Sequence, residues 1–246
     1  MTRTKYTLII ANAVPLVLVA TGGLDAAQLL ILYWAETFIV CVFSVFKILF
    51  AEGVRDPEAK SPISGGETSR LPDLFPASAP PDGTLGILNS LLIAAVFSAK
   101  AGVALFVSGL TIFGWIVPKL PGADMKFCNA MGQLLMDRRL NPETDYSSMA
   151  RPFLLPLTAL FLHHAWSFIQ DYMLSGESEI FNSRFYSERN LLRVLALFLI
   201  VIFGGFAAGL AGAHIYVILI LILVKTVFEF HMLSADTRST EEIRAS

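Results

Sequence analysis

The stretch VLALFLIVIFGGFAAGLAGAHIYVILILILV, from Val194 to Val224, runs 31 residues without one Asp, Glu, Lys or Arg. As a single helix it would reach ~46 Å, against a bilayer hydrocarbon thickness of about 30 Å. It is too long for one crossing and too apolar for a helix with a wet face. Gly209 and Gly212 stand near its middle, where a tight turn can fold it into two antiparallel spans. The pattern predicts a transmembrane hairpin.

The rest of the chain agrees with a membrane setting. Hydrophobic residues are 55% of the 246, mean hydropathy is +0.64, and charged residues are 15%, well under the ~25% of soluble domains. The net charge of −2 offers no basic surface to nucleic acid. Cys41 and Cys128 are far apart, and Cys41 sits in an apolar run, so neither a disulfide framework nor a thiolate zinc site is implied.

Working outward, a charge-free run from Tyr6 to Leu24 is just long enough to span. A signal peptide is the rival reading, with Arg3 and Lys5 ahead of small residues at 20–22. Asn12 and Pro15 within the run, and the further spans downstream, favour a retained helix. Spans are also expected at Ala26–Phe50, Gly86–Val117, Pro152–Leu174, Glu188–Ala208 and Ala213–Leu233. Gly86–Val117 reads as one long tilted helix, or as two short ones broken at Ala101-Gly102, which would make seven spans instead of six. Residues 51–85 are rich in Pro and Gly and read as a mobile loop. Within 118–151, Met125–Leu140 reads as a short interfacial helix, with Arg138 and Arg139 toward headgroups.

The expected fold is therefore all-α, a polytopic integral membrane helical bundle of about six transmembrane helices forming a single domain over 1–246. With six spans, an inside N-terminus places ten Lys and Arg of the loops on the inner side and five on the outer. The positive-inside rule then predicts both termini in the cytoplasm and a cytoplasmic-membrane location. Seven spans give the same ratio.

Ionisable residues inside membrane spans are costly and normally face partners or water. Glu36, Lys100, His163, His164 and Lys225 all fall near the middle of their spans. Four helices thus carry acid, base and imidazole to one layer. Lys225 and Glu229 are four apart and can pair on one face. Arg193 and Glu229 lie at matching distances from the Gly209–Gly212 turn, which predicts an interhelical ion pair. The bland reading of this layer is a set of polar contacts that hold helices together. The functional reading is a centre that binds or relays a small polar solute or protons.

Other chemistries fit less well. His164, Ser167 and Asp171 line one helical stripe, but a hydrolytic triad needs side chains that converge on a reacting atom. Glu36, His163, His164 and Glu229 could supply a carboxylate and imidazole metal site, although adjacent histidines diverge by ~100° and Lys100 and Lys225 oppose a cation. The sequence assigns no cofactor, no partner beyond the lipid bilayer, and no oligomeric state. His214 and His231 read as interfacial. Tyr33, Trp34 and Trp166 lie too deep for an aromatic belt and are expected to wall the polar layer or fill helix contacts. The Gly204-Gly205 and Gly205-x-x-x-Gly209 elements fit close helix packing and not phosphate loops.

Several segments carry a family resemblance: Ala11-Asn12-Ala13-Val14-Pro15, Leu32-Tyr33-Trp34-Ala35-Glu36, Phe46-Lys47-Ile48, His164-Ala165-Trp166-Ser167-Phe168, Gly204-Gly205-Phe206 and Lys225-Thr226-Val227-Phe228-Glu229. Together they resemble a family of prokaryotic multi-pass membrane proteins catalogued as a domain of unknown function. The resemblance covers most of the chain outside the Pro-rich loop and 118–151. It implies the multi-span architecture and no established activity. This chain departs from that pattern in its third span, where Lys100-Ala101-Gly102 and Ser108 occupy places at which the family carries histidines.

Overall fold

The structure, a computed structural model, describes residues 3–51, 84–120, 146–179, 181–212 and 215–245. The expected mobile loop and the interfacial helix at 125–140 lie almost wholly outside the described residues. A bilayer offers no water to satisfy backbone N–H and C=O groups, so an apolar chain crosses it as helices. Here these are α1 (Arg3–Ala20), α2 (Ala26–Leu49), α3 (Thr84–Thr111), α4 (Tyr146–Ser167), α5 (Ser183–Leu210) and α6 (Ile215–Ala245). A π-turn at Ile112–Ile116 and a 3-10 turn at Val117–Lys119 prolong α3, and a π-turn at Phe168–Met173 prolongs α4.

Among the described residues, five helices are long and apolar enough to cross a membrane; the apolar part of α1, Tyr6–Ala20, is shorter. The protein is a multi-pass membrane protein with an all-α bundle. The third span is continuous through Ala101 and Gly102, so the two-helix alternative is not adopted. Helices α4 and α5 begin several residues before their apolar runs, and α6 continues past Leu233. Polar ends of this kind lie in water or headgroups, where helical backbone remains permissible although nothing forces it.

Local chemistry sets the turns. Asp25 Oδ1 accepts from the Gln28 N–H at 2.7 Å while Gln28 Oε1 accepts from the Asp25 N–H at 3.0 Å, a reciprocal cap that starts α2. Asn182 Oδ1 caps α5 by accepting from the Phe185 N–H at 2.8 Å. Gly22 at φ 75° and Gly212 at φ 66° take left-handed conformations in the α1–α2 and α5–α6 turns, where a side chain would be strained.

Neighbours in the bundle follow the order α2, α3, α5, α6, α1, α4 and back to α2, and α2 also packs across the ring against α5. Helix α2 is the innermost: 56% of its apolar window is buried, twice the share of any other span. Two apolar cores form at opposite ends. One gathers Val19, Leu29, Leu30, Ile116, Val201, Leu221 and Ile222 near the two tight turns. The other gathers Val40, Ile48, Phe97, Tyr172, Tyr186 and Val194 at the end where α1 begins and α6 leaves. Charged side chains occupy the level between them.

Candidate functional site

The centre of this level is Lys225 on α6. Its Nζ donates to Glu36 Oε1 of α2 at 2.9 Å, to Asn12 Oδ1 of α1 at 2.9 Å and to Glu229 Oε2 one turn further along α6 at 3.0 Å. Three oxygens use the three ammonium protons. The Tyr33 ring lies 4.9 Å from the same nitrogen, within cation–π range. Asn12 Nδ2 in turn donates to Glu229 Oε2 at 3.3 Å. The Lys225, Glu36 and Glu229 side chains are each 1% exposed.

Helices α4 and α5 complete the shell. His164 Nε2 is 3.6 Å from Glu36 Oε1, and Arg193 Nη2 is 3.8 Å from Glu229 Oε1. The geometry of the second contact is that of the expected interhelical pair. The adjacent His163 points elsewhere: its Nδ1 meets Thr7 Oγ1 of α1 at 3.0 Å. The two rings are 5.0 Å apart. Successive helical residues diverge in direction, so only His164 reaches Glu36. Glu36 and Glu229 balance Lys225 and Arg193 charge for charge.

Lys100 does not join this layer, contrary to the sequence expectation. It is exposed on α3, while Ala94, Phe97 and Ala101 make the buried face. One residue is about 100° of helical rotation, enough to turn Lys100 from α2 toward the outside. Trp166, expected to wall the layer or fill a contact, is 40% exposed on the outer surface. Trp34 packs against Gly109 and Phe113 and donates from Nε1 to the Leu105 carbonyl at 3.1 Å. Of the triad-like stripe, Ser167 donates to Asp171 at 3.1 Å and His164 turns to Glu36. His231 is exposed and His214 lies outside the described residues.

Asn12, Thr7 and Tyr33 complete the cluster. Asn12 and Thr7 were missed by the sequence reading as site residues; an amide halfway along an apolar run was the available signal for Asn12.

Six buried polar atoms have no hydrogen-bond partner among the described residues: Glu36 Oε2, Glu229 Oε1, His164 Nε2, Tyr33 Oη, Arg193 Nε and Asn190 Nδ2. Five of these belong to the cluster. Two of these, Glu229 Oε1 and His164 Nε2, face Arg193 and Glu36 at 3.8 and 3.6 Å, contacts longer than a hydrogen bond. A carboxylate and an imidazole 3.6 Å apart need only a small side-chain approach to form a direct hydrogen bond, across which a proton can pass.

The donor set is a poor fit for a metal. No group of three His, Cys, Asp or Glu among the described residues is placed to hold one. The point between the two carboxylates, where a cation would sit, carries the Lys225 ammonium.

No curated protein and no solved structure matches the chain. A family model described as "Family of unknown function (DUF6498)" matches residues 1–245. The chain therefore belongs to that family of unknown function.

Proposed function

We propose that this protein acts through its buried charged layer, which binds or relays a small polar species, with protons as the species that fits best. The observation that carries this reading is the buried contact of the His164 imidazole with the Glu36 carboxylate, Nε2 to Oε1 at 3.6 Å, with Glu36 Oε2 left without a hydrogen-bond partner among the described residues. A contact made only to join helices needs no imidazole beside the carboxylate, and Glu36 already has the Lys225 ammonium for that purpose. Glu36 serves as acceptor, His164 as the exchanging group, and Lys225 and Arg193 as fixed counter-charges. With an ammonium already at the cation position, water and protons suit the remaining capacity better than a metal ion, and an intramembrane metal enzyme is the weakest of the readings.

One observation favours a second reading, a non-catalytic scaffold. Lys225 ties α1, α2 and α6 together through three short bonds. The two readings separate at Glu36→Gln, which keeps the oxygen that Lys225 needs and removes the titrating carboxyl. In purified protein in lipid, infrared difference spectra across a pH series should show a titrating buried carboxyl that Glu36→Gln abolishes, in a variant that still accumulates although its melting temperature falls as one buried cation loses its counter-charge. A wild-type spectrum with no titrating carboxyl, or a Glu36→Gln protein that fails to accumulate, hands the case to the scaffold.

We also propose that the protein lies in the cytoplasmic membrane with both termini inside. The ten-to-five distribution of Lys and Arg supports that orientation.

A further inference from the structure

Among the described residues of the charged layer, Arg193 has the most exposed side chain, on the part of α5 near its start. Helix α5 enters the bundle through Arg184 and Glu188, an exposed ion pair 3.0 Å apart, and Arg189, residues suited to water and headgroups. On the next turns stand Asn190 and Arg193, three apart and so on one face. Asn190 Nδ2 and Arg193 Nε are both unpartnered, and the Arg193 side chain is 25% exposed against 1% for the Glu229 it faces. From Glu229 the contacts pass to Lys225 and on to Glu36 and His164, with the Tyr33 ring lying against Lys225. Beyond Tyr33, toward the tight turns, Leu29, Leu30, Val201, Leu221 and Ile222 pack into one apolar core. No buried ionisable group among the described residues lies on that side.

We infer that Asn190 and Arg193 form the mouth of a dead-end aqueous vestibule, through which the charged layer exchanges water and protons with one side of the membrane only. That side is the one from which α1 starts and α6 leaves. Irregular polarity at membrane depth is tolerated where it borders protein or water, and Arg193, 25% exposed, stands between the exposed Arg184–Glu188 pair and the buried Glu229. The layer is therefore a one-sided titratable centre, suited to responding to the pH of one compartment, and the opposite apolar core keeps it from being a through-channel. The groups that face Glu36 are Lys225 and Glu229 of α6, His164 of α4 and Asn12 of α1, with Arg193 of α5 behind Glu229. Lys47, on α2 toward the mouth side, faces the Tyr172 ring instead. This inference rests on the proton reading above but can fail separately from it.

The test uses full-length protein with Cys41 and Cys128 replaced by Ser and single cysteines introduced as Asn190→Cys and Ile222→Cys. A membrane-impermeant trimethylammonium methanethiosulfonate is added to sealed vesicles of each orientation, and sidedness is read by protease cleavage of a C-terminal tag. Asn190→Cys should be modified only from the side on which the tag is cut, and Ile222→Cys from neither. Modification of Asn190→Cys from the opposite side, or from neither, overturns the vestibule, and so does labelling of Ile222→Cys. Should Asn190→Cys not accumulate, hydroxyl-radical footprinting of the unaltered protein replaces it: His164 is expected to be oxidised while Leu29 and Ile222 are protected, and a protected His164 overturns the inference. Labelling at position 190 without a titrating Glu36 would sink the proton reading and leave the vestibule standing; a titrating Glu36 with no labelling would do the reverse.

Discussion

At the scale of single residues, Lys225 carries the electrostatics of the bundle. It is 1% exposed, as are both carboxylates it binds. Its removal strands two acids against Arg193 alone. Breaking a buried pair by deleting one partner typically costs about 3–5 kcal/mol, because an uncompensated charge stays behind. Lys225→Met should therefore lower the melting temperature of the purified protein sharply, and adding Glu36→Gln should recover much of the loss by restoring one anion to one cation. A double variant no better than the single one would show that the charges are not coupled. The residues of this cluster were legible in the sequence because a charge stands out in an apolar run and can be counted to its depth. Rotation about the helix axis was not legible. Helix α3 is apolar nearly all round, so no polar stripe announces which way Lys100 points, and one residue of rotation decided it. Asn12 escaped for a related reason: a neutral amide is a weak signal until its partners on α6 are known.

Among the helices, close approach is set by small residues. A Cβ on Gly205 of α5 would lie 2.9 Å from Ile116 Cγ2 and 3.2 Å from Leu30 Cδ1. Ile116 is β-branched and has few rotamers to retreat into. A Cβ on Gly204 would meet the Leu221 side chain of α6, which can swing aside more freely. Gly209, four residues on, has nothing within 4 Å. Overpacking a tight contact costs about 1–3 kcal/mol, so Gly205→Ala should destabilise by that order while Gly209→Ala leaves the melting temperature unchanged or slightly raised. Equal effects at the two sites would mean that helix propensity, not packing, governs α5. The spans themselves could be read from the length of their apolar runs, and so could the α5–α6 turn. The π-turns ending α3 and α4 could not, because they answer to neighbours contributed by distant parts of the chain.

The whole molecule has a direction. Helix α6 leaves the bundle at the end from which α1 starts, and the two apolar cores lie on either side of the charged layer. That end also receives the start of α5 with Arg184 and Arg189, and the C-terminal extension of α6 with Arg238 and Arg244. Basic residues flanking spans are retained on the cytoplasmic side during insertion. Reporter fusions measure this directly: a fluorescent protein at the C-terminus should fold and fluoresce, and an alkaline phosphatase there should stay inactive. A phosphatase fusion within 121–145 should show the opposite behaviour, since α3 and α4 run to and from the far end. Active phosphatase at the C-terminus would invert the molecule and turn the Asn190–Arg193 mouth toward the outside. The compartment whose protons reach Glu36 would then change, while the internal geometry of the layer would stay as it is.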